Sequence, residues 1–183
     1  MSFTSKHCVF LSLLVICVGC LPSGADSWRH YTRGGDYPAR TPSMSPDGTL
    51  IVFSSPRSGN GDIYQVNSDG SKPIRLTSDP SFETDPIFSP DGLTVAFARE
   101  TNGYRHLWLM NRDGTNQKQL THENLLDDVQ SFSPDGSELS FRRGPLPTGL
   151  GRSAESFAIN LRTQRVRKLN GFVEYSPDGK AIA

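Results

Sequence analysis

Ser-Pro-Asp-Gly occurs at 45–48, 89–92, 133–136 and 176–179, at spacings of 44, 44 and 43 residues. Self-similarity at such a period means one supersecondary unit used again and again. Other positions keep step. An apolar residue precedes each motif (Met44, Phe88, Phe132, Tyr175), and Phe53, Phe97 and Phe141 each follow a motif serine by eight residues. Alternating runs come next: Ile63-Tyr64-Gln65-Val66-Asn67, Leu107-Trp108-Leu109-Met110-Asn111 and Phe157-Ala158-Ile159-Asn160. The turns Asn67-Ser68-Asp69-Gly70 and Asn111-Arg112-Asp113-Gly114 follow, and Leu-Thr pairs at 76–77 and 120–121 close two units.

Each segment has a physical reading. Proline presets φ at the second turn position, aspartate suits the third, and glycine accepts the left-handed φ after it. Such a turn closes a hairpin through a bulge. The runs between turns alternate with period two, which predicts short strands around 50–55, 62–67 and 73–77 and one ending at 88. No segment carries a convincing amphipathic helical pattern. A four-stranded meander cannot bury both of its faces alone. Repeated around an axis, each sheet packs on its neighbours, which is a β-propeller. The expected fold is all-β, with four-stranded antiparallel blades: three full blades and partial ones at both ends, an incomplete ring of six or seven. The third unit departs from the pattern, with Leu161-Arg162-Thr163 in place of the Asp-Gly turn, a longer loop before Phe157 and a shorter one after Leu169.

The run of Ser45 to Gly48, Ile51-Val52-Phe53, Asp62 to Ser71 and Arg75-Leu76-Thr77 resembles the WD-like repeat of TolB-type propellers, and 89–121 resembles it equally. The resemblance covers about 29–183. Arg29-His30-Tyr31-Thr32 is similar to the closing strand that completes the last blade in that family. The resemblance implies a propeller that binds proteins, as TolB-like members do with lipoproteins and Tol proteins of the cell envelope. The N-terminal domain of TolB itself has no room before the first repeat. Similar propellers also form the gating domain of prolyl-oligopeptidase-like serine peptidases and parts of some lyases. The alternative it implies is therefore a remnant or fragment of a propeller enzyme.

Residues 1–25 read as a leader. Lys6 and His7 precede an apolar run from Cys8 to Val18, the length of a secretory h-region rather than a membrane span. Two exits are readable. Gly19-Cys20 resembles a lipobox, which would place an acyl anchor on Cys20, and Ser23-Gly24-Ala25 offers cleavage before Asp26. The expectation is export, as a periplasmic or outer-membrane-associated lipoprotein or alternatively as a secreted protein. Contact with a membrane is expected only through Cys20. All three cysteines (8, 17 and 20) lie in the leader, so the domain spanning 26–183 must be held without disulfides.

Nineteen basic residues balance nineteen acidic ones, and losing the leader removes only Lys6. A nucleic-acid binder would show a basic excess, so no nucleic-acid partner is expected. No catalytic constellation stands out. The histidines (7, 30, 106 and 122) lack metal-ligand spacing, and Gly151-Arg152-Ser153-Ala154-Glu155 departs from a nucleophile elbow at its fifth residue. We therefore expect no catalytic residue, no metal and no cofactor. Tyr64 and Trp108 occupy equivalent strand positions and read as packing residues. The connectivity puts the Asp-Gly hairpins on one face and the longer connections (about 54–62, 77–85, 98–106, 121–130 and 142–155) on the other. These loops vary while the frame repeats, which marks a binding surface. They carry the candidate binding residues Arg57, Arg99, Tyr104, Arg105, Asp127 and Asp128, suited to a polar protein or peptide partner. Self-association through open blade edges is a further expectation.

Overall fold

A computed structural model describes residues 39–144, 154–170, 174–175 and 181–182. The leader with Cys20, the segment Arg29–Thr32 and the fourth Ser-Pro-Asp-Gly lie outside the described residues. Strands follow one another as meanders. Blade one is β1 (Arg40–Met44), β2 (Leu50–Ser55), β3 (Asp62–Asn67) and β4 (Ile74–Arg75). Blade two is β5 (Phe82–Phe88), β6 (Thr94–Thr101), β7 (Tyr104–Asn111) and β8 (Lys118–Gln119). Blade three is β9 (Leu126–Phe132), β10 (Glu138–Gly144), β11 (Glu155–Asn160) and β12 (Val166–Lys168). The pair β13 (Glu174–Tyr175) and β14 (Ala181–Ile182) opens a fourth. Within every blade the pairing is antiparallel. A single parallel bridge, Arg105 with Leu126, joins blades two and three. The first strands stand side by side, β1 against β5, β5 against β9 and β9 against β13, so the blades form an arc. A closed ring is not formed among the described residues. The outermost strands are shorter than the sequence pattern suggests, two or three residues each, because they pair on one side only.

The three described Ser-Pro-Asp-Gly turns share one hydrogen-bond scheme. Ser45 Oγ donates to Asp47 Oδ1 at 2.6 Å and accepts from Leu50 N at 2.9 Å, while Gly48 N donates to Ser45 O at 2.9 Å. Ser89–Asp91 and Ser133–Asp135 repeat the serine–aspartate bond at 2.6 Å. The glycines hold φ of 71°, 69° and 69°, which only glycine adopts without strain. In blade three, Gln164 takes the left-handed position (φ 58°), and Asn160 Oδ1 accepts from Thr163 N at 2.9 Å. The departure seen in the sequence is thus a different turn with the same closure.

The two largest apolar clusters are buried between blades, while a smaller one of Phe53, Tyr64 and Val66 belongs to blade one. Leu50, Val52, Ile63 and Leu76 of blade one meet Phe88, Val95, Phe97 and Met110 of blade two. Ala96, Leu107 and Leu120 of blade two meet Phe132, Leu139, Phe141 and Ile159 of blade three. Phe53, Phe97 and Phe141 are buried at equivalent positions, opposite Tyr64, Trp108 and Phe157 across the strand pair. The rings stack with centroids 5.9, 6.4 and 5.7 Å apart.

Replacing Phe97, fully enclosed at the joint of blades one and two, by alanine should cost about 3–5 kcal/mol, read by urea unfolding. The turn aspartates give a pH signature. Hydrogen bonds from Ser45 and Thr49 hold the Asp47 carboxyl below its usual 3.8, at about 2. A depressed value stabilises the fold above the ordinary pKa, and that contribution is lost as pH falls through the depressed one. Acid titration of Asp47→Asn should show a shallower loss of stability between pH 3.8 and about 2 than the parent chain.

Candidate functional site

The face opposite the Ser-Pro-Asp-Gly turns carries the long connections, and its polar residues divide into a buried set and an exposed set. The buried set repeats. Two residues beyond Phe97 on β6, Arg99 lays its guanidinium 4.2 Å from the Trp108 ring centroid and 5.5 Å from that of Phe97. Two residues beyond Phe141 on β10, Arg143 sits 5.2 Å from the Phe141 ring and 5.4 Å from that of Phe157. Each guanidinium meets a carboxylate from the inner strand of its own blade. Arg99 Nε donates to Glu83 Oε1 at 2.7 Å, and Arg143 binds Asp127 through Nε at 2.7 Å and Nη2 at 2.8 Å. Glu83 and Asp127 are both wholly buried. A charge so placed is tolerable only when paired and hydrogen-bonded.

The Glu83 clamp crosses the blade joint. Thr77 of blade one donates its hydroxyl to Glu83 Oε2, and Glu83 N donates to Gly61 O at 2.7 Å. Gly61 permits the approach, since a Cβ there would stand 2.5 Å from the Phe82 ring. Burial pushes the Glu83 carboxyl above its ordinary value, while Thr77 and Arg99 work against the shift. A third buried carboxylate, Asp62, accepts from Arg75 Nη2 at 2.9 Å and from Ser58 Oγ. Burial raises it as well, against the pull of Arg75.

Blade one lacks the clamp. Ser55 stands where the others have arginine, and Ala39 where they have the carboxylate. Arg57, on the short turn Pro56–Ser58, reaches back instead. Its guanidinium lies 5.2 Å from the Phe53 ring and 4.8 Å from that of Tyr64, and its Nε donates to Ser55 Oγ at 3.1 Å.

The exposed set gathers at the tip of the β6–β7 hairpin and the inner strands beside it. Arg105 pairs with Glu100 at 3.2 Å and with Asp128 of β9, whose side chain is 43% exposed. Tyr104, half-buried, stands next to it on β7. Asp85, on the bulge of β5, has its carboxyl raised by burial and by the neighbouring Asp128, with Arg105 opposing. The bulge is strained. Asp85 and its blade-one equivalent Thr41 hold φ of 53° and 46°, both directly before proline, and Asp85 N donates to Thr41 Oγ1 at 3.2 Å.

Of the six loop residues expected to bind a partner, the structure pairs Arg105 with Asp128 and places Tyr104, half-buried, one residue before Arg105 on β7. It places Arg99 and Asp127 inside, in the clamps of successive blades, and Arg57 against the aromatic pair of blade one. Arg99 and Asp127 therefore lie in strands rather than on exposed loops, because each finds its counter-charge within its own blade. Thr41 was not singled out in the sequence, and Thr77 entered only through its Leu-Thr pair. The clamps themselves left a signal in the sequence, since Glu83 with Asp127 and Arg99 with Arg143 keep the 44-residue step. The Gly151–Ser153 part of the elbow-like run lies outside the described residues. Among the described residues no three histidine, cysteine, aspartate or glutamate side chains are grouped to hold a metal, and no helix is long and apolar enough to cross a membrane.

Removing Arg99 alone should be severe. Arg99→Ala leaves Glu83 buried and unpaired, at a cost of about 3–5 kcal/mol in urea unfolding. The paired replacement Glu83→Leu with Arg99→Met, which removes both charges, should recover most of that loss.

Over residues 60–183 the chain matches the family described as the Tricorn protease N-terminal beta propeller domain. Among solved structures it is similar to TolB from Acinetobacter baumannii, at 24% identity over 76% of this chain and 35% of that one, with a TM-score of 0.64. It is similar to a protein assigned as TolB in Agrobacterium tumefaciens, at 21% identity over 73% of this chain and 48% of that one, TM-score 0.63. It also resembles oligogalacturonate lyase from Vibrio parahaemolyticus, at 17% identity over 79% of this chain and 46% of that one, TM-score 0.57. The chain spans less than half the length of each of these structures. No curated protein sequence is significantly similar to it.

Proposed function

The chain belongs to the Tricorn protease N-terminal beta propeller domain family, as a TolB-type β-propeller, and from that premise we propose that it is a non-catalytic protein-binding module of the bacterial cell envelope. One observation carries this reading. The wholly buried carboxylates of the loop face, Asp62, Glu83 and Asp127, are each paired with an arginine. What remains at the surface is a mixed-charge patch of Glu100, Arg105 and Asp128 beside Tyr104. A tyrosine flanked by both signs of charge suits the polar surface of another protein. In this reading the leader directs export, and Cys20 carries the acyl anchor.

The family's own description favours a second reading, in which the propeller gates or carries an enzyme. Propellers of this type occur in a protease and in a lyase. Coding sequence continuing past Ala183 into a Gly-x-Ser-x-Gly region followed by Asp and His would favour a peptidase. Further Ser-Pro-Asp-Gly units and a stop would favour the binder.

A photoreactive residue in place of Tyr104, in the full chain expressed in the cell, should crosslink to an envelope protein. The same residue in place of Ile74, on the outer edge, should not. Equal adducts at both positions, or none at Tyr104, would contradict the loop-face assignment. Fatty-acid labelling should mark the parent chain and be lost in Cys20→Ser; unlabelled parent protein beginning at Asp26 would mean plain secretion.

A further inference from the structure

The grooves between neighbouring blades on the Ser-Pro-Asp-Gly side repeat the same pair of turn aspartates but differ in the residues between them. Between blades two and three the groove opens into a cleft of about 370 Å³, lined among others by Pro90, Asp91, Leu109, Phe132, Asp135 and Leu161. Its apolar part is formed by buried Phe132 and half-buried Leu109 and Leu161, and the two exposed carboxylates come from the flanking turns. Both aspartates are held anionic. The Ser89 hydroxyl and Leu93 N lower Asp91, and Ser133 and Ser137 lower Asp135. Among the described residues neither is paired with a basic side chain.

One groove earlier, between blades one and two, Asp47 takes the place of Asp91, Asp91 that of Asp135, and Phe88 that of Phe132. The place of Leu109 is taken by Gln65 and that of Leu161 by Arg112. The equivalence is structural: Arg112 N donates to Leu93 O and Leu161 N to Ser137 O, both at 2.9 Å, in each case the residue directly after the motif glycine. Arg112 sends its charge across the groove, adding to the hydrogen bonds that depress Asp47. The chain thus supplies its own guanidinium to one groove and puts leucine in the next. The turn glycine also stands farther from the preceding blade's proline at the second groove. A Cβ on Gly92 would lie 3.3 Å from Pro46, whereas one on Gly136 would lie 3.8 Å from Pro90.

We propose that the cleft between blades two and three takes an arginine side chain from a protein partner, in the position that Arg112 fills for the groove beside it. The apolar floor suits the methylene stem, and a planar guanidinium can be shared between carboxylates on both sides. A lysine offers a point charge and no fork. This site lies on the face opposite Tyr104 and takes from the reading above only that the arginine belongs to a protein.

The test is an amide NMR titration of the full chain with N-acetyl-arginine amide. Saturable shifts are expected at Ser133–Ser137 and Leu161, with Ser45–Thr49 unmoved, and with weaker shifts from the lysine analogue. The neutral citrulline analogue should give none. Leu161→Arg should fill the cleft and abolish the shifts. Arg112→Leu should open the first groove and add shifts at Ser45–Thr49. The two variants act in opposite directions, so a folding defect cannot mimic both. The proposal is overturned by absent shifts at Ser133–Ser137, by citrulline acting as well as arginine, or by a Leu161→Arg chain that still responds. Because the probe is a small amide, a failed titration leaves the loop-face reading standing.

Discussion

The joint between blades one and two is fixed by a buried carboxylate shared across it. Glu83 sits on the inner strand of blade two, accepts the Thr77 hydroxyl of blade one, and is neutralised by Arg99, which lies on the stacked Phe97 and Trp108 rings. Apolar burial supplies most of the adhesion between blades, because the two large clusters lie at the joints. Hydrophobic contact, however, is not directional. The clamp adds direction, since a wholly buried carboxylate tolerates only the geometry in which its partners reach it. Asp127 and Arg143 repeat the carboxylate–arginine part in blade three.

This arrangement separates frame from surface. A guanidinium buried on aromatic rings and paired to a carboxylate is unavailable to a ligand. The polar interior of the loop face is therefore structural, and the variable polar residues at the hairpin tip are left for recognition. The opposite face follows the same logic. Its turns spend Asp47, Asp91 and Asp135 on the serine two residues before each, yet these carboxylates stay exposed and anionic. Where the chain supplies Arg112 the groove has its cation, and where it supplies Leu161 a cleft remains.

Much of this fold was legible in the chain. The 44-residue step, the turn chemistry and the alternating runs located the strands, and Phe53, Phe97 and Phe141 fell at equivalent buried positions as the spacing required. The short outer strands were less legible, because one-sided pairing is a property of the sheet and not of a window of residues. The site was legible in part. Arg105 and Asp128 do pair, but Arg99 and Asp127, read in the sequence as partner-binding loop residues, are buried in the frame. Nothing local distinguishes a charged residue in water from one buried on its counter-ion. Only the shared period of arginine, carboxylate and aromatic pair separates the two, and that correlation spans strands far apart in sequence. The positive φ at Thr41 and Asp85 was equally hidden, since a residue before proline ordinarily avoids that region.

The claim that a polar clamp joins the blades is tested most directly by a double-mutant cycle on Thr77→Val and Glu83→Gln, followed by urea unfolding. Thr77 and Glu83 belong to different blades, so coupling between them measures the joint itself. The account predicts a coupling energy of about 1–3 kcal/mol, as for residues within one buried hydrogen-bond network. Losses that add to within about 0.5 kcal/mol would place the two side chains in independent surroundings and contradict it.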